Sequence, residues 1–321
     1  MQVTHQQAGA WVGGVGEPFG AQLTVRFGSA VRWLVDSHLW VAGAAASLTL
    51  FAAHFLGLPP EPRPVLLVFA ATLIIYSADA YFDGLRWPHS ATRVTANAAG
   101  ACRVTVIAAL AVIGWALWEA SPATVVPLTI GGALCLAYGA PVLPAASFPA
   151  QRRRLKDIPG FKAPFVSAAI TGAVIATPLL FGAPGVNSTV QAATPASVAF
   201  LASSLFGVIL CNVYFFDIRD RHADARSDVR TLPLLVGVRR TRQFCGGIIG
   251  LLLALWLAAP APGAATIGPL TALLLAILAT LVYVLRLSAD ASRLRFAVVI
   301  DGVPYLLLVA SLVLDVQWLP L

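Results

Sequence analysis

Charged residues are scarce in this 321-residue chain, at 11% of the total, whereas hydrophobic residues reach 59%. A soluble globular domain carries about 25% charged residues and roughly 45–50% apolar ones. The mean hydropathy of +0.83 therefore excludes an ordinary soluble protein and predicts an all-α integral membrane protein. The only four cysteines share no metal-ligand spacing, so buried reduced thiols are expected rather than a zinc site.

Long apolar segments recur along the chain, and each is near the ~20 residues that cross a ~30 Å hydrocarbon core as a helix. Proline and glycine mark most of their ends. The pattern predicts nine transmembrane helices. They span residues of about 35–57, 63–83, 98–118, 122–143, 161–182, 195–216, 243–260, 266–286 and 296–316.

Basic residues indicate the orientation of these helices. With nine spans, all 21 Lys and Arg residues except Arg63 fall on the side of the N-terminus, which the positive-inside rule places in the cytoplasm. The C-terminus is then outside, as in a multi-pass protein of a prokaryotic inner membrane. The run Arg152–Arg154 contributes to this bias, which explains the net charge of +7 without nucleic-acid binding.

The N-terminal part of the chain differs from the rest. Residues 1–34 are polar and Gly-rich, so we expect a partly disordered cytoplasmic segment and no cleavable signal peptide. Residues 35–321 are expected to form a single membrane domain. The sequence leaves the oligomeric state open.

Aspartates cluster at the cytoplasmic ends of the second and sixth predicted spans, where charged residues should be rare. The second span ends IIYSADAYFDGLRW, with Asp79 and Asp83 four residues apart, and the sixth ends NVYFFDIRDRHAD. The two stretches align with each other, with Tyr76 opposite Asp217, and lie four spans apart. This alignment predicts two related four-helix units plus a ninth helix.

The carboxylates of the sixth span and of the loop after it fall within about 80° on a helical wheel. Like charges at i,i+4 repel, so such a stripe is unfavourable unless a cation lies in it. Mg²⁺ takes one or two carboxylates, several waters and substrate phosphate, and two facing acidic helices suit it. The alternative is that these residues pair with nearby arginines at helix ends. The four carboxylates of this stripe belong to Asp217, Asp220, Asp224 and Asp228.

The stretch DIRDRHADARSDVRTLPLLVG at 217–237 resembles the second motif of the UbiA superfamily of intramembrane prenyltransferases. The family pattern there is DxxDxxxD, and Asp217, Asp220 and Asp224 occupy its positions. The stretch RLKDIPGFK at 154–162 is also similar to family members. The resemblance covers residues from about 35 to 316.

The first motif matches the family in part. Asp79 and Asp83 fit the family pattern NDxxDxxxD, but Tyr76 and the residue before it replace the Asn-Asp pair. Either one Mg²⁺ is held weakly, or Tyr76 ligates or hydrogen-bonds instead. The family element YxxxK is also changed, because Tyr138 lacks a lysine four residues later, and Lys156 is expected to supply that charge.

The resemblance implies nine helices around a central cavity, with Mg²⁺ holding the diphosphate of an isoprenoid donor on the two motifs. The allylic C–O bond then ionises, and the carbocation alkylates a lipophilic, often aromatic, acceptor. An intramembrane terpene cyclase, which acts on a prenyl diphosphate without an acceptor, is the alternative. The expected catalytic and metal-binding residues are Asp79, Asp83, Asp217, Asp220 and Asp224.

Other polar residues near the motifs are candidates for substrate binding. Lys156 and Lys162 flank a Pro-Gly pair before the fifth helix, where lysines favour phosphate. Arg86 either bridges to the diphosphate or pairs with an aspartate. Asp301, inside the ninth span, either lines the cavity or pairs with Arg295. The candidates are Arg86, Arg93, Lys156, Lys162, Arg221, Tyr76, Tyr138 and Asp301.

Overall fold

The computed structural model describes residues 29–86, 96–142, 154–182, 194–226, 229–258 and 267–315, with the backbone alone at 84–86 and 96–103. Its regular structure in these ranges is helical. Most of the predicted N-terminal segment lies outside the described residues, and its end forms the first helix. The helices are α1 (Ser29–Asp36), α2 (Leu39–Phe55), α3 (Pro62–Arg86), α4 (Ala96–Leu117), α5 (Pro122–Gly139), a 3-10 helix (Leu155–Asp157), α6 (Lys162–Phe181), α7 (Pro195–Arg226), α8 (Leu232–Val236), α9 (Val238–Leu257), α10 (Ile267–Arg286), α11 (Arg293–Ile300) and α12 (Gly302–Leu314).

Every predicted span coincides with a helix or a pair of consecutive helices, but fewer than nine meet the requirements for crossing a membrane. Six stretches of the described chain are long and apolar enough, and α1 with α2 adds a seventh if this pair, bent by 74°, counts as one span. The two predicted spans outside this set coincide with α4 and α9. The apolar part of α4 is short, Val104–Leu117, and α9 begins with the basic run VRRTR. Nine crossings are therefore not confirmed.

The hydrophobic core is built around α7. Leu201, Leu205 and Phe215 of this helix are fully buried, and it contacts α6, α8, α9, α10 and α11. In contrast, α4 and α5 carry large exposed apolar side chains, such as Leu110 and Ile130. Helices that are apolar on all sides are typical of membrane bundles, so α4 and α5 have the character of lipid-facing helices.

The same order of helix contacts recurs in two halves of the bundle. α3 contacts α2, α4 and α5, and in the same way α7 contacts α6, α9 and α10. α2 and α6, the first helices of the two groups, also contact each other. α12 packs against both α2 and α10, which joins the two groups. The two related four-helix units and the ninth helix stay a prediction, with which this order of contacts agrees.

A buried polar cluster ties α2 to α12 at the end of the bundle opposite the acidic motifs. Nδ1 of His54 hydrogen-bonds with the Ser311 hydroxyl at 2.6 Å, and its Nε2 lies 3.2 Å from Oδ2 of Asp315. Because His54 and Ser311 are buried, these bonds fix the relative position of the two helices. α2 and α12 flank the acidic motifs at their other ends.

Gly207 allows α7 and α9 to approach closely. A Cβ at this position would lie 2.9 Å from a methyl carbon of Leu252. We expect Gly207→Ala to lower the Tm in detergent, because overpacking costs about 1–3 kcal/mol and exceeds the ~1 kcal/mol that alanine gains in a helix. The matched control is Gly172→Ala on α6, where a Cβ would meet nothing within 4 Å. Equal changes of Tm in the two variants would contradict the close approach.

Candidate active site

The first acidic pair lies near the end of α3 and is bridged by a lysine. Nζ of Lys156 lies 2.5 Å from Oδ1 of Asp79 and 2.9 Å from Oδ1 of Asp83. The lysine side chain is 7% exposed, whereas the two carboxylates are 38% and 46% exposed. The i,i+4 spacing puts both carboxylates on one face of α3, so a single ammonium group can bridge them.

Arg154 adds a second cation to this pair. Its guanidinium hydrogen-bonds with Asp83 and lies 3.1 Å from Oδ1 of Asp157, while the Arg154 backbone N–H donates to Asp157 at 2.9 Å. Burial lowers the pKa of the Arg154 guanidinium, but the hydrogen bonds with Asp83 and Asp157 outweigh burial and raise the pKa above its ordinary value. The guanidinium therefore stays charged beside Asp83.

Lys162, the first residue of α6, bridges the second acidic cluster. Its Nζ lies 2.8 Å from Oδ1 of Asp217 and 3.3 Å from Oδ2 of Asp224. Asp217 is 1% exposed and Asp224 is 14% exposed, so this cluster is more enclosed than the first. The two aspartates are seven residues, about two helical turns, apart and share one face of α7.

Both bridging lysines lie at the end of the connection between α5 and α6, Lys156 in its 3-10 helix and Lys162 at the first position of α6. Gly160 lies between Lys156 and Lys162 and has a φ of 71°, which glycine adopts readily and other residues do not. Its N–H donates to the Arg230 carbonyl at 2.9 Å, which ties the connection to the segment after α7. The acidic clusters of α3 and α7 therefore meet at this connection, and we call this end of the bundle the motif end.

Tyr138 of α5 lies between the two clusters. Its ring stacks on Phe165 at a centroid distance of 4.7 Å, and its hydroxyl is buried without a hydrogen-bond partner among the described residues. The carboxylates that interact electrostatically with this hydroxyl come from both clusters. They are those of Asp79, Asp217 and Asp224. Buried polar atoms are nearly always hydrogen-bonded, so the Tyr138 hydroxyl indicates a place for a polar atom of a ligand.

Tyr76 lies one turn before Asp79 on α3 and faces the interior. Its ring contacts the His38 ring at a centroid distance of 5.7 Å. The charged groups that act on its hydroxyl include Asp301, Asp79 and Lys162. Tyr76 therefore connects the first acidic pair with the α6 lysine and with the junction of α11 and α12.

A family model of the UbiA prenyltransferase family matches residues 78–300, which is more than half of the chain. This chain belongs to the UbiA prenyltransferase family. The match includes both acidic stretches, the connection between α5 and α6, and every helix from the end of α3 to α11. Together with its long apolar helices, family membership makes the protein a multi-pass integral membrane protein.

Solved structures of UbiA homologues share the fold. A homologue from Archaeoglobus fulgidus bound to GPP and Mg²⁺ has a TM-score of 0.57 at 14% identity, covering 86% of this chain and 96% of that chain. A homologue from Aeropyrum pernix K1 has a TM-score of 0.58 at 13% identity, covering 86% and 98%. A structure of digeranylgeranylglyceryl phosphate synthase has a TM-score of 0.53 at 12% identity, covering 88% and 96%. No curated protein sequence matches the chain. At these identities the likeness establishes the fold alone.

Two arginine-containing pairs of the UbiA-like second motif lie at the edge of the site. Asp220 is bound by its neighbour Arg219, with a closest distance of 2.6 Å. Arg221, predicted to bind substrate, is held by the connection between α10 and α11, where it pairs with Asp290 at 2.8 Å and donates to the Ala289 carbonyl. The structure thus does not bring Arg221 to the bridged carboxylates, and its role stays a prediction.

Four other candidates have different outcomes. Arg93 and Asp228 lie outside the described residues, as does the side chain of Arg86. Asp301, at the junction of α11 and α12, makes no ion pair with Arg295 in the described part of the chain, which leaves the alternative that it lines the site. The charged group that interacts electrostatically with the Asp301 carboxylate is the Arg219 guanidinium.

The basic side chains of the α5–α6 connection lie against the carboxylates between the motifs, and the central cavity there stays a prediction. One cavity of about 480 Å³ lies near the start of α3 instead, at the opposite end of that helix. It has no acidic motif residue in its wall. Its lining residues are Pro62, Arg63, Gly114, Trp115, Trp118 and Glu119.

Sequence reasoning missed two basic residues of the site. Arg154 was expected only to set the topology, because its bond with Asp83 joins residues far apart in the chain. Arg219 falls on the side of α7 opposite the carboxylates on a helical wheel, yet its long side chain lies over the Phe216 ring at 4.8 Å and reaches Asp220. A wheel places Cβ atoms and not the charged end of an arginine.

The donor set decides which metal chemistry is feasible. No group of three or more His, Cys, Asp or Glu side chains comes together as a metal site within the described ranges. Asp79 and Asp83 instead face Lys156 and Arg154, Asp217 and Asp224 face Lys162, and Asp220 pairs with Arg219. Mg²⁺ usually takes only one or two carboxylates and completes its coordination with water and substrate phosphate. The residues therefore fit a magnesium ion that arrives with a phosphate ligand, and not an ion held by protein alone.

Proposed function

We propose that this protein is a Mg²⁺-dependent prenyltransferase that moves an isoprenyl group from a prenyl diphosphate to a lipophilic, aromatic acceptor. One observation carries the proposal: two acidic clusters, distant in the chain, share one basic connection, and a buried hydroxyl without a partner lies between them. The structures of the Archaeoglobus fulgidus homologue with GPP and Mg²⁺ and with DMAPP and Mg²⁺ support it.

The two aspartate clusters are the proposed metal-binding residues. Asp79 and Asp83 would hold one ion, and the α7 carboxylates would hold another. Bound Mg²⁺ neutralises the developing charge of the diphosphate leaving group. The residues proposed for the second ion are Asp217, Asp220 and Asp224.

The basic side chains are proposed to change partners when the donor binds. Lys156, Arg154 and Lys162 now neutralise the carboxylates. Diphosphate oxygens accept strong charge-assisted hydrogen bonds from ammonium and guanidinium groups, so the same side chains can hold the donor. The Tyr138 hydroxyl is proposed to donate to the diphosphate, which gives this buried group the partner it lacks.

The remaining candidates divide between donor and acceptor. Arg86, Arg93 and Arg221 are proposed to contact the diphosphate from the edge of the site. Tyr76 and Asp301 face the interior of the bundle and are proposed to contact the acceptor. We further propose that the motif end faces the cytoplasm of a prokaryotic inner membrane and that the C-terminus is outside, because basic residues favour the cytoplasmic side.

The proposal is tested with purified protein in lipid nanodiscs, geranyl diphosphate (GPP) as donor and hydroquinone as an aromatic acceptor. We expect diphosphate release and a prenylated aromatic product, both abolished by excess EDTA and restored by Mg²⁺. A hydrocarbon or terpene alcohol that forms equally without acceptor would indicate the cyclase. Absence of diphosphate release from GPP and from longer prenyl diphosphates would refute both enzymes.

Gly139 gives a test of the position of Asp79. A Cβ on Gly139 would lie 2.6 Å from Oδ1 of Asp79, so Gly139→Ala must displace this carboxylate. We expect diphosphate release to fall about tenfold, which corresponds to ~1.4 kcal/mol in the barrier, with a rise in the Mg²⁺ concentration needed for half-maximal rate. The matched control on α5 is Gly131→Ala, where a Cβ would meet nothing within 4 Å. Identical magnesium dependence in both variants would contradict a ligand role for Asp79.

A further inference from the structure

His38 has an unusual backbone conformation. Its φ of 63° and ψ of 3° are left-handed, and it is the only residue other than glycine with positive φ in the described ranges. Such conformations are unfavourable for residues with a Cβ, and they concentrate at functional sites, where the surrounding structure holds them. His38 lies at the bend of 74° between α1 and α2, at the motif end.

The surrounding helices hold this bend in place. Two residues after His38, the indole of Trp40 donates to the Ala297 carbonyl of α11 at 3.2 Å. The Tyr305 hydroxyl of α12 donates to the Trp40 carbonyl at 2.7 Å, and the two rings pack at a centroid distance of 4.8 Å. The start of α2 is therefore fixed to α11 and α12, which positions the His38 ring against Tyr76.

The His38 imidazole has unused hydrogen-bonding capacity. It contacts the Tyr76 ring, and its charged neighbours are Arg293, Asp36 and Asp79. Neither His38 nor Tyr76 makes a side-chain hydrogen bond with any other described residue. Within the described ranges, both groups therefore present polar atoms without a hydrogen-bond partner beside the first acidic pair, where a bound molecule can use them.

His38 also connects the interior with water. Asp36, two residues before His38, forms a loose pair with Arg293 at 3.7 Å, and the two side chains are 53% and 59% exposed. The bend that carries His38 therefore borders water, to which a proton taken up by the imidazole can pass. Asp301 also acts electrostatically on Tyr76, but the charged group that acts on Asp301 is Arg219.

We propose that His38 is the catalytic base that removes the proton from the aromatic acceptor, an inference that rests on the proposed function. In the reaction, the C–O bond of the donor breaks and its electron pair leaves with the diphosphate. A ring carbon of the acceptor supplies the electron pair for the new C–C bond to the allylic carbon. The proton on that ring carbon then passes to a nitrogen of His38, which restores the aromatic ring, and Tyr76 orients the acceptor for this transfer.

The decisive variant is His38→Asn, because asparagine tolerates the left-handed backbone and lacks a basic nitrogen. With GPP and hydroquinone we expect diphosphate release close to that of the wild type but about 10²–10⁴-fold less prenylated product, the typical contribution of a general base. Without the base the alkylated ring keeps its proton, the new C–C bond breaks again, and water captures the re-formed allylic carbocation, so geraniol replaces the product. With ring-deuterated hydroquinone, a normal isotope effect should appear in His38→Asn, and added imidazole should restore product.

His222→Asn is the matched control, since this exposed histidine lies on α7 at the same end of the bundle, and it should behave as the wild type. His38→Gln repeats the test with a second side chain that lacks a basic nitrogen. Its Tm should equal that of the wild type, which shows that the variant is folded. An unchanged ratio of product to geraniol in both His38 variants would overturn the proposal, as would a parallel fall of diphosphate release and product without geraniol. If wild-type protein releases no diphosphate, the proposed function itself fails. That result differs from the two outcomes that would overturn the role of His38 alone.

Discussion

Asp83→Asn and Asp220→Asn are each expected to lower diphosphate release from geranyl diphosphate by about 10²–10³-fold, the usual loss when one stabilising group for a developing charge is removed. Asparagine keeps the shape of aspartate but not the negative charge that attracts Mg²⁺. The two residues lie on different clusters, and their carboxylates are 46% and 37% exposed. In Asp83→Asn the buried Arg154 and Lys156 keep Asp157 and Asp79 as partners, and the Arg219–Asp220 pair is partly exposed, so the Tm should fall less than in Lys162→Met.

The control for both variants is Asp290→Asn. Its carboxylate is 82% exposed and pairs with Arg221 away from the bridged carboxylates, so the rate should stay at the wild-type level. Full activity in either Asp83→Asn or Asp220→Asn would mean that one cluster is sufficient. That outcome would contradict a site shared by α3 and α7.

Lys162→Met is expected to have the largest effect on stability, because it leaves the carboxylate of Asp217 buried without its cation. Asp217 is 1% exposed and Lys162 is 25% exposed. Removing one partner of a buried ion pair typically costs about 3–5 kcal/mol, which should appear as a large drop in Tm in EDTA. Added Mg²⁺ should recover part of the loss, since a cation that binds only the folded protein stabilises it.

The double variant Lys162→Met/Asp217→Asn separates charge from packing. It removes both charges, so most of the lost Tm should return relative to Lys162→Met alone, and the difference gives the coupling between the two side chains. A double variant that is less stable than Lys162→Met would show that Asp217 is compensated by another group.

The helices were predictable from the sequence because their physical cause is local. Long apolar segments placed a helix at each of the nine predicted spans, and proline and glycine marked most of the ends. The number of crossings was harder to predict, since α9 combines an apolar end with the basic run VRRTR. The bend between α1 and α2 gave no signal, because the left-handed backbone of His38 depends on contacts of Trp40 with α11 and α12.

The site was predictable where helical spacing decides the arrangement. The i,i+4 pair on α3 and the stripe on α7 placed carboxylates on single faces, and the Pro-Gly turn pointed to Lys156 and Lys162. The pairing of Arg154 with Asp83, which are 71 residues apart, was not predictable, since the path of the α5–α6 connection decides it. The same is true of Gly139, whose role is visible only once α5 is placed against Asp79.

The central claim is that the two acidic clusters together bind one diphosphate through metal ions. The most direct measurement is an experimental structure with Mg²⁺ and geranyl S-thiolodiphosphate, a donor analogue that resists ionisation. We predict that its diphosphate lies between α3 and α7, linked through metal to Asp83 on one side and to Asp220 or Asp224 on the other. A diphosphate bound to one cluster alone, or on another surface of the bundle, would contradict the account.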